Sequence, residues 1–491
     1  MTSNESVVVV GSGPCGAFAA AGLIERGIPV VMLDAGFRAP RGAVVRLGGK
    51  TLFRKKGYAE YATNRHDPSS DEPLTWISSL SLGGLSNYWT SAVPRYAPDD
   101  FTDGARLDER FRWPIGYDDL VPYYERAERE LGLTAGRPIH GVPPGAAEHR
   151  VELPDDWRAI ADRAQEHGHG VGALPMARGG SSMLAPRGTE YSSYHCTVAR
   201  LESSPLFRLV RGAFVLSLEW SSTHDRVRSV RYVDRSTGDR HDVPARAVML
   251  AAGAIDTTAI VLRSTSPDFP TGLGNSRDLV GRYLHDHPRE WWVVETASKL
   301  TALSHPVYVA RDDHASSEPL MSSSLMLGAT PRWPDRLFVY TGGKVSAFGV
   351  QVLGTMVPSP DVGVRLGDWD GARPSLHLRY DAQAKRNMEA ARSRIVQVLA
   401  DAGLTARVPG PFHDLTPGQS VHYAGTVRMH DDPEFGVLDR WNRMHDVPNV
   451  AVVDPSCFPT GPEKNPTLTA MAIAARAADR LADDLTTGSL R

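Results

Sequence analysis

Residues 6–36, "SVVVVGSGPCGAFAAAGLIERGIPVVMLDAG", constrain the fold more than any other stretch of the chain. Val7 to Val10 form an unbroken β-branched run, the pattern of a strand covered on both faces. Gly11, Ser12, Gly13 and Gly16 follow as G-x-G-x-x-G, and the Ala-rich segment from Ala17 to Arg26 then predicts a helix. A second apolar strand ends at Asp34. The glycines allow a tight turn and close backbone approach, so a pyrophosphate can rest on the helix N-terminus. Asp34 is placed to accept from a ribose 2′-OH. Strand, turn, helix, strand and acid in that order predict a dinucleotide site in a parallel α/β sheet. The fingerprint does not distinguish NAD from FAD.

Bulk properties narrow the class. At 491 residues the chain can build more than one domain, and its 41% hydrophobic and 23% charged residues are ordinary for a globular protein. A net charge of −3 gives no footprint for nucleic acid or an anionic membrane. No stretch reaches the roughly 20 apolar residues of a membrane span. Cys15, Cys196 and Cys457 are far apart and without C-x-x-C spacing. They predict neither a disulfide framework nor a zinc site, and a reducing cytoplasm fits them.

Further along, "GGLSNYWTSAVPR" (83–95) sets a Gly-Gly turn before two aromatics, a place for backbone to approach a flat ligand. "FRLVRGAFVLSLEW" and "RVRSVRYVDRSTGDRHDVPARAVMLAAGA" read as short strands. The latter runs into "VMLAAGAIDTTAIVLRS", a second βα unit far from the first, so the nucleotide domain is expected to be discontinuous. Between 290 and 380, "EWWVVETA", "LMSSSLMLG", "RLFVYTG", "AFGVQVLGTMV" and "SLHLRYD" predict a largely antiparallel sheet. A helix from about Ala382 to Ala402 backs it, with Met388, Ala391, Ile395 and Leu399 at helical spacing. "NVAVVDPSCFPT" predicts another buried strand, and "NPTLTAMAIAARAADRLADDL" a helix with Pro466 near its first position. The expected division is a nucleotide-binding domain in three pieces, 1–100, 201–289 and 415–491, with a connecting and substrate-domain segment at 101–200 and a substrate domain at 290–414.

The ordered set "GGLSNYW", "WPIGYDDLVPYYERAERELG", "LAAGAIDTTAIVL", "LVGRYLHDHP" and the block from His422 to Asp479, together with the N-terminal fingerprint, resembles the glucose–methanol–choline (GMC) oxidoreductase family over nearly the whole chain. Within the family, "WPIGYDDLVPYYERAE" and "HYAGTVRM" are nearest in pattern to pyranose oxidase and its bacterial sugar-oxidising relatives. The resemblance implies FAD as the dinucleotide and a sugar, glycoside or aminoglycoside as substrate, with oxygen or another acceptor taking the electrons. It places His422 and Asn465 at the flavin's reactive edge, the histidine as base and the asparagine as donor to the substrate oxygen. It further implies FAD contacts at Gly84, Asn87, Trp89, Thr90, Val215, Ala252, Asp454, Pro466 and Thr467, and puts "LHDHP" (His285, His287) in a structural, cofactor-proximal segment without metal. His430 and His445 are expected at the surface. Tyr88 stands where pyranose oxidase carries its flavin-linked histidine, so FAD is expected to be held non-covalently. On strand "EWWVV", Glu290 and Trp292 share a face, and a carboxylate beside an indole would suit an aminosugar. Three readings compete with an FAD-dependent alcohol oxidoreductase: an NAD-dependent dehydrogenase, a lyase with structural flavin, and a non-catalytic flavoprotein.

Overall fold

The computed structural model describes residues 6–39, 63–66, 75–177, 191–311, 318–329, 338–366, 374–408, 411–413 and 415–490. Val7–Val10, buried along its whole length, lies at the centre of a five-stranded parallel sheet. Across that sheet the order is Val450–Val452, Ala247–Leu250, Val7–Val10, Val30–Asp34 and Phe207–Arg211. Strands so distant in sequence pair because each is an apolar run that needs cover on both faces. Helix Pro14–Glu25 starts three residues before the expected Ala17 and packs against helix Thr467–Thr487. An antiparallel meander of Ala213–Ser221, Arg226–Asp234 and Arg240–Pro244 is inserted before the Ala247–Leu250 strand.

The second sheet is antiparallel and seven-stranded among the described residues. It runs Ala406–Arg407, Arg289–Thr301, Lys344–Gly354, Ser323–Ala329, Val307–Val309 and Val171–Ala173, with Pro411–His413 also pairing against Arg289–Thr301. Helix Ala382–Asp401 begins where the Asp381 carboxylate accepts from the Ala384 N–H at 2.8 Å. Its stripe of Met388, Ala391, Ile395, Val398 and Leu399 packs on Trp292, Val294, Val350 and Val352. That helix therefore fixes which face of the sheet is core. The chain is thus a mixed α/β protein, a discontinuous Rossmann-like unit joined to an antiparallel sheet backed by helices. One expectation needs correction: within "RLFVYTG", whose first two residues lie outside the described ones, Phe338–Thr341 forms a single helical turn. The three-residue strand Val171–Ala173 joins this sheet from the 101–200 segment. Among the described residues no helix is long and apolar enough to cross a membrane.

Candidate active site

One cavity of about 760 Å³ runs from the glycine turn to the free face of the antiparallel sheet. Three helices start at its wall, Pro14–Glu25, Ala254–Arg263 and Thr467–Thr487, and none has a side-chain cap. Uncapped first-turn N–H groups and the positive end of the dipole suit a dinucleotide's pyrophosphate and a negatively charged ring. The glycines explain the approach. A Cβ on Gly11 would lie 2.5 Å from the Ala251 carbonyl oxygen, and one on Gly16 2.1 Å from that of Gly11, whereas Gly13 faces open space. The turn is thus built by packing at two glycines and left bare at the third.

Of the residues expected at the cofactor, Gly11, Ser12, Gly13, Asp34, Gly84, Trp89, Thr90, Val215, Ala252, Asp454, Pro466 and Thr467 border this cavity. Gly16 acts through the turn. Asn87 does not border the cavity. Its amide donates to the Ser81 hydroxyl and to the Leu82 and Gly84 carbonyls, and its oxygen accepts from Ser192, so it orders the loop. The Asp34 carboxylate accepts from Ser12 N–H at 2.7 Å, Ser12 Oγ–H at 2.5 Å and Gly36 N–H at 2.7 Å. Asp454 is filled by four donors from Gly253, Thr257 and Ser456, and so fixes the Gly253 turn rather than offering a free carboxylate.

His422 and Asn465 also stand on the cavity wall. The Asn465 Nδ2 lies 3.1 Å from His422 Nε2. His422 Nδ1 lies 2.7 Å from His287 Nδ1, and His287 Nε2 contacts the Pro462 carbonyl oxygen. These contacts settle the protons. A carbonyl only accepts, so His287 Nε2 carries the hydrogen and His287 Nδ1 is the lone pair. The hydrogen between the two rings then belongs to His422 Nδ1, which leaves the His422 Nε2 lone pair towards Asn465 and the cavity. Burial, then the neighbouring His287 and Arg289, hold the His422 imidazole well below the usual histidine range and hence neutral.

The backbone here is fixed from several sides. The buried Asp286 carboxylate accepts from the His422 N–H at 2.8 Å and from Ser420. Val421, a β-branched residue at φ 66°, turns the chain into His422, a strained conformation that the surrounding bonds enforce. Before Asn465, the fully buried Lys464 Nζ lies 2.9 Å from Asp100 and 2.8 Å from Glu463. Burial alone would raise the Glu463 carboxyl, yet the Lys464 charge holds it below the usual carboxylate range. The Asn465 side chain is not a helix cap: Pro466 occupies that position, and the amide goes to His422 instead.

One residue is added to the site, and two further expectations are corrected. His287 belongs to the site as the partner of His422, through a contact between residues 135 apart in sequence that no local pattern announces. His430 is buried, with its Nε2 against the Glu109 carbonyl, while His445 is half-buried. Glu290 lies on the helix side of its strand, 1% exposed and paired with Arg392, whose Nε donates to Oε2 at 3.1 Å. Trp292 borders the cavity, but its indole N–H donates to Glu290 and Arg392 lies over its ring. That carboxylate is not open to a substrate ammonium. The cavity side of the strand carries Arg289, Trp291 and Val293 instead.

Comparison with known proteins gives the family and the fold. Two models described as GMC oxidoreductase match, over residues 70–289 and 363–474. The 6'''-hydroxyparomomycin C oxidase of Streptomyces lividus is 30% identical, covering 98% of this chain and 91% of the relative. Paromamine 6'-oxidase of Streptomyces fradiae is 31% identical with the same coverage. The crystal structure of pyridoxine 4-oxidase from Mesorbium loti superposes with a TM-score of 0.70 at 20% identity, covering 97% of this chain and 99% of that one, which shows a shared fold. A chain matched in both halves by the family, and along its length by oxidases, is a member of the GMC oxidoreductase family, an enzyme whose cofactor is FAD.

Proposed function

We propose that this enzyme oxidises a CH–OH group of a sugar, glycoside or aminoglycoside, with His422 as the base and oxygen or another acceptor regenerating the cofactor. When bound, FAD supplies the hydride acceptor for such a reaction. The observation that carries the reading is the neutral His422 Nε2 lone pair beside the Asn465 amide on the wall of the cavity that the glycine turn also borders. A hydroxyl placed between them would donate its proton to Nε2 and accept from Nδ2, which stabilises negative charge growing on that oxygen. His287 and the Pro462 carbonyl keep the imidazole in the tautomer this requires. Asp34 and the three helix N-termini would hold the cofactor.

Anaerobic mixing with a panel of sugars and aminoglycosides tests the reading, and loss of the yellow flavin colour is expected with at least one. A lyase with structural flavin, or a non-catalytic flavoprotein, would keep its colour with all of them.

The cofactor is expected to be held without a covalent bond. Covalent linkage at the flavin's 8α-methyl needs a nucleophile, and Tyr88 offers the cavity only a phenol, mostly protonated at neutral pH. Among the described residues, His422 and Cys15 are the histidine and cysteine that border the cavity. The His422 ring is committed to His287 and Asn465, and burial pushes the Cys15 thiol up, away from its reactive thiolate. Acid denaturation and centrifugation should leave flavin in the supernatant. Flavin that pellets and fluoresces on a denaturing gel would overturn this.

A further inference from the structure

Arg289 opens the strand Arg289–Thr301 and borders the cavity on the same face as Trp291 and Val293. Its side chain is charged at any pH the protein survives, because a guanidinium does not give up its proton in proteins. Other enclosed arginines have a carboxylate or carbonyl partner. Arg392 meets Glu290 on the opposite face of this strand, and Arg95 meets Glu128 in the core. Among the described residues Arg289 has no hydrogen-bond or ion-pair partner. The carboxylate nearest in sequence, Asp286, is occupied by Ser420 and the His422 N–H. Yet the guanidinium sits close enough to the base that its charge helps hold His422 neutral.

The other formal charges on the cavity wall stand towards the nucleotide end. Asp34 and Asp454 bind the two glycine turns, Asp256 lies in the first turn of helix Ala254–Arg263, and Arg263 donates to the Leu216 carbonyl. Where the cavity meets the antiparallel sheet, the wall is Trp291 and its cross-strand neighbour Gln351, with Met326 and Leu327 beyond. An indole face and an amide suit a carbohydrate ring and its hydroxyls. A half-buried guanidinium beside them feels the Asp286 charge but makes no hydrogen bond to it, so its donors stay open to a ligand that brings the opposite charge.

We propose that Arg289 is an anion-recognising position, and that the substrate carries a carboxylate or phosphate which the guanidinium holds while a hydroxyl meets His422 and Asn465. This rests on the alcohol-oxidation reading above and narrows it. A polycationic aminoglycoside would set ammonium groups against an unpaired like charge, whereas a sugar acid or sugar phosphate completes the pair, bidentately if both oxygens engage.

Equilibrium dialysis of the oxidised holoenzyme tests this, using labelled D-gluconate, D-glucose 6-phosphate and the neutral polyol D-glucitol. It needs no turnover. At least one anion should bind about tenfold or more tightly than glucitol, as a charge-assisted contact gives, and the preferred anion distinguishes carboxylate from phosphate. Arg289→Met should erase the preference, and Arg289→Lys should retain part of it; should Arg289→Met not fold, Arg289→Gln is read in its place. His422→Ala should keep the preference whole, so that failure of the base assignment and failure of this proposal give different results. The proposal is overturned if neither anion is held more tightly than glucitol, or if the preference survives in Arg289→Met. Loss of FAD from the substituted proteins would assign the guanidinium to the cofactor and overturn it equally.

Discussion

Alanine in place of His422 lowers the rate of flavin reduction by roughly 10²- to 10⁴-fold while the protein remains yellow. The size follows from removing a positioned base. The substrate hydroxyl then has only solvent to take its proton, in a cavity whose wall here is built from Trp291, Val421 and Tyr423. The cofactor is expected to stay because its cradle is the glycine turn and the helix N-termini. The wild-type profile carries a second mark of the same group. Since the folded protein holds the imidazole below the usual histidine range, the basic form persists as pH falls through that range, and the rate should drop only at lower pH. Stopped-flow reduction across pH, with substrate in excess, reads both results. A His422→Ala enzyme with full reductive rate would remove the histidine from the chemistry.

Asn465→Ala costs roughly 10²- to 10³-fold in the same measurement, as loss of one oxyanion donor does. The position is unusually clean for such a test. Its backbone is pinned on one side by the buried Lys464 with Asp100 and Glu463, and on the other by the start of helix Thr467–Thr487. Among the described residues its side-chain oxygen has no hydrogen-bond partner and its nitrogen meets only His422. Truncation therefore removes one amide without releasing the loop. The pH profile should keep its shape, because the tautomer of His422 is set from the other ring nitrogen by His287. A reductive rate equal to the wild type would leave Asn465 with no part in the reaction.

The dinucleotide fingerprint was legible because all its information is local: a β-branched run, glycines at fixed offsets and an acid at the next strand end. His422 and Asn465 were legible only through the family pattern, since a histidine and an asparagine that far apart carry no shared signal of their own. What period-two alternation could not give is the sign of a face. It correctly separated Glu290 and Trp292 from Trp291, but the cavity lies on the side of Trp291, because helix Ala382–Asp401 brings Arg392 and an apolar stripe to the other. His287 escaped for a different reason. Its neighbours in sequence are structural, and its role exists only once the Arg289 strand and the His422 loop are side by side. Val171–Ala173 is too short to alternate visibly, and its strand character comes from pairing with Val307–Val309.

The parallel sheet takes its central strand from the start of the chain and one edge, Val450–Val452, from near the end, while helix Thr467–Thr487 lies against helix Pro14–Glu25. During synthesis this means the first βα unit emerges long before its cover does. Phe18, Leu23 and their apolar neighbours must wait through more than four hundred residues of translation for Leu468, Met471 and Ala475. Such distant closure folds slowly and leaves sticky surface bare in the interval. On the proposed reading it also delays competence, because the segment carrying Asn465 is made more than four hundred residues after the glycine turn. A nascent chain can then display the nucleotide turn while lacking the proposed His422–Asn465 pair, so emergence of helix Thr467–Thr487 both covers the core and completes the proposed site.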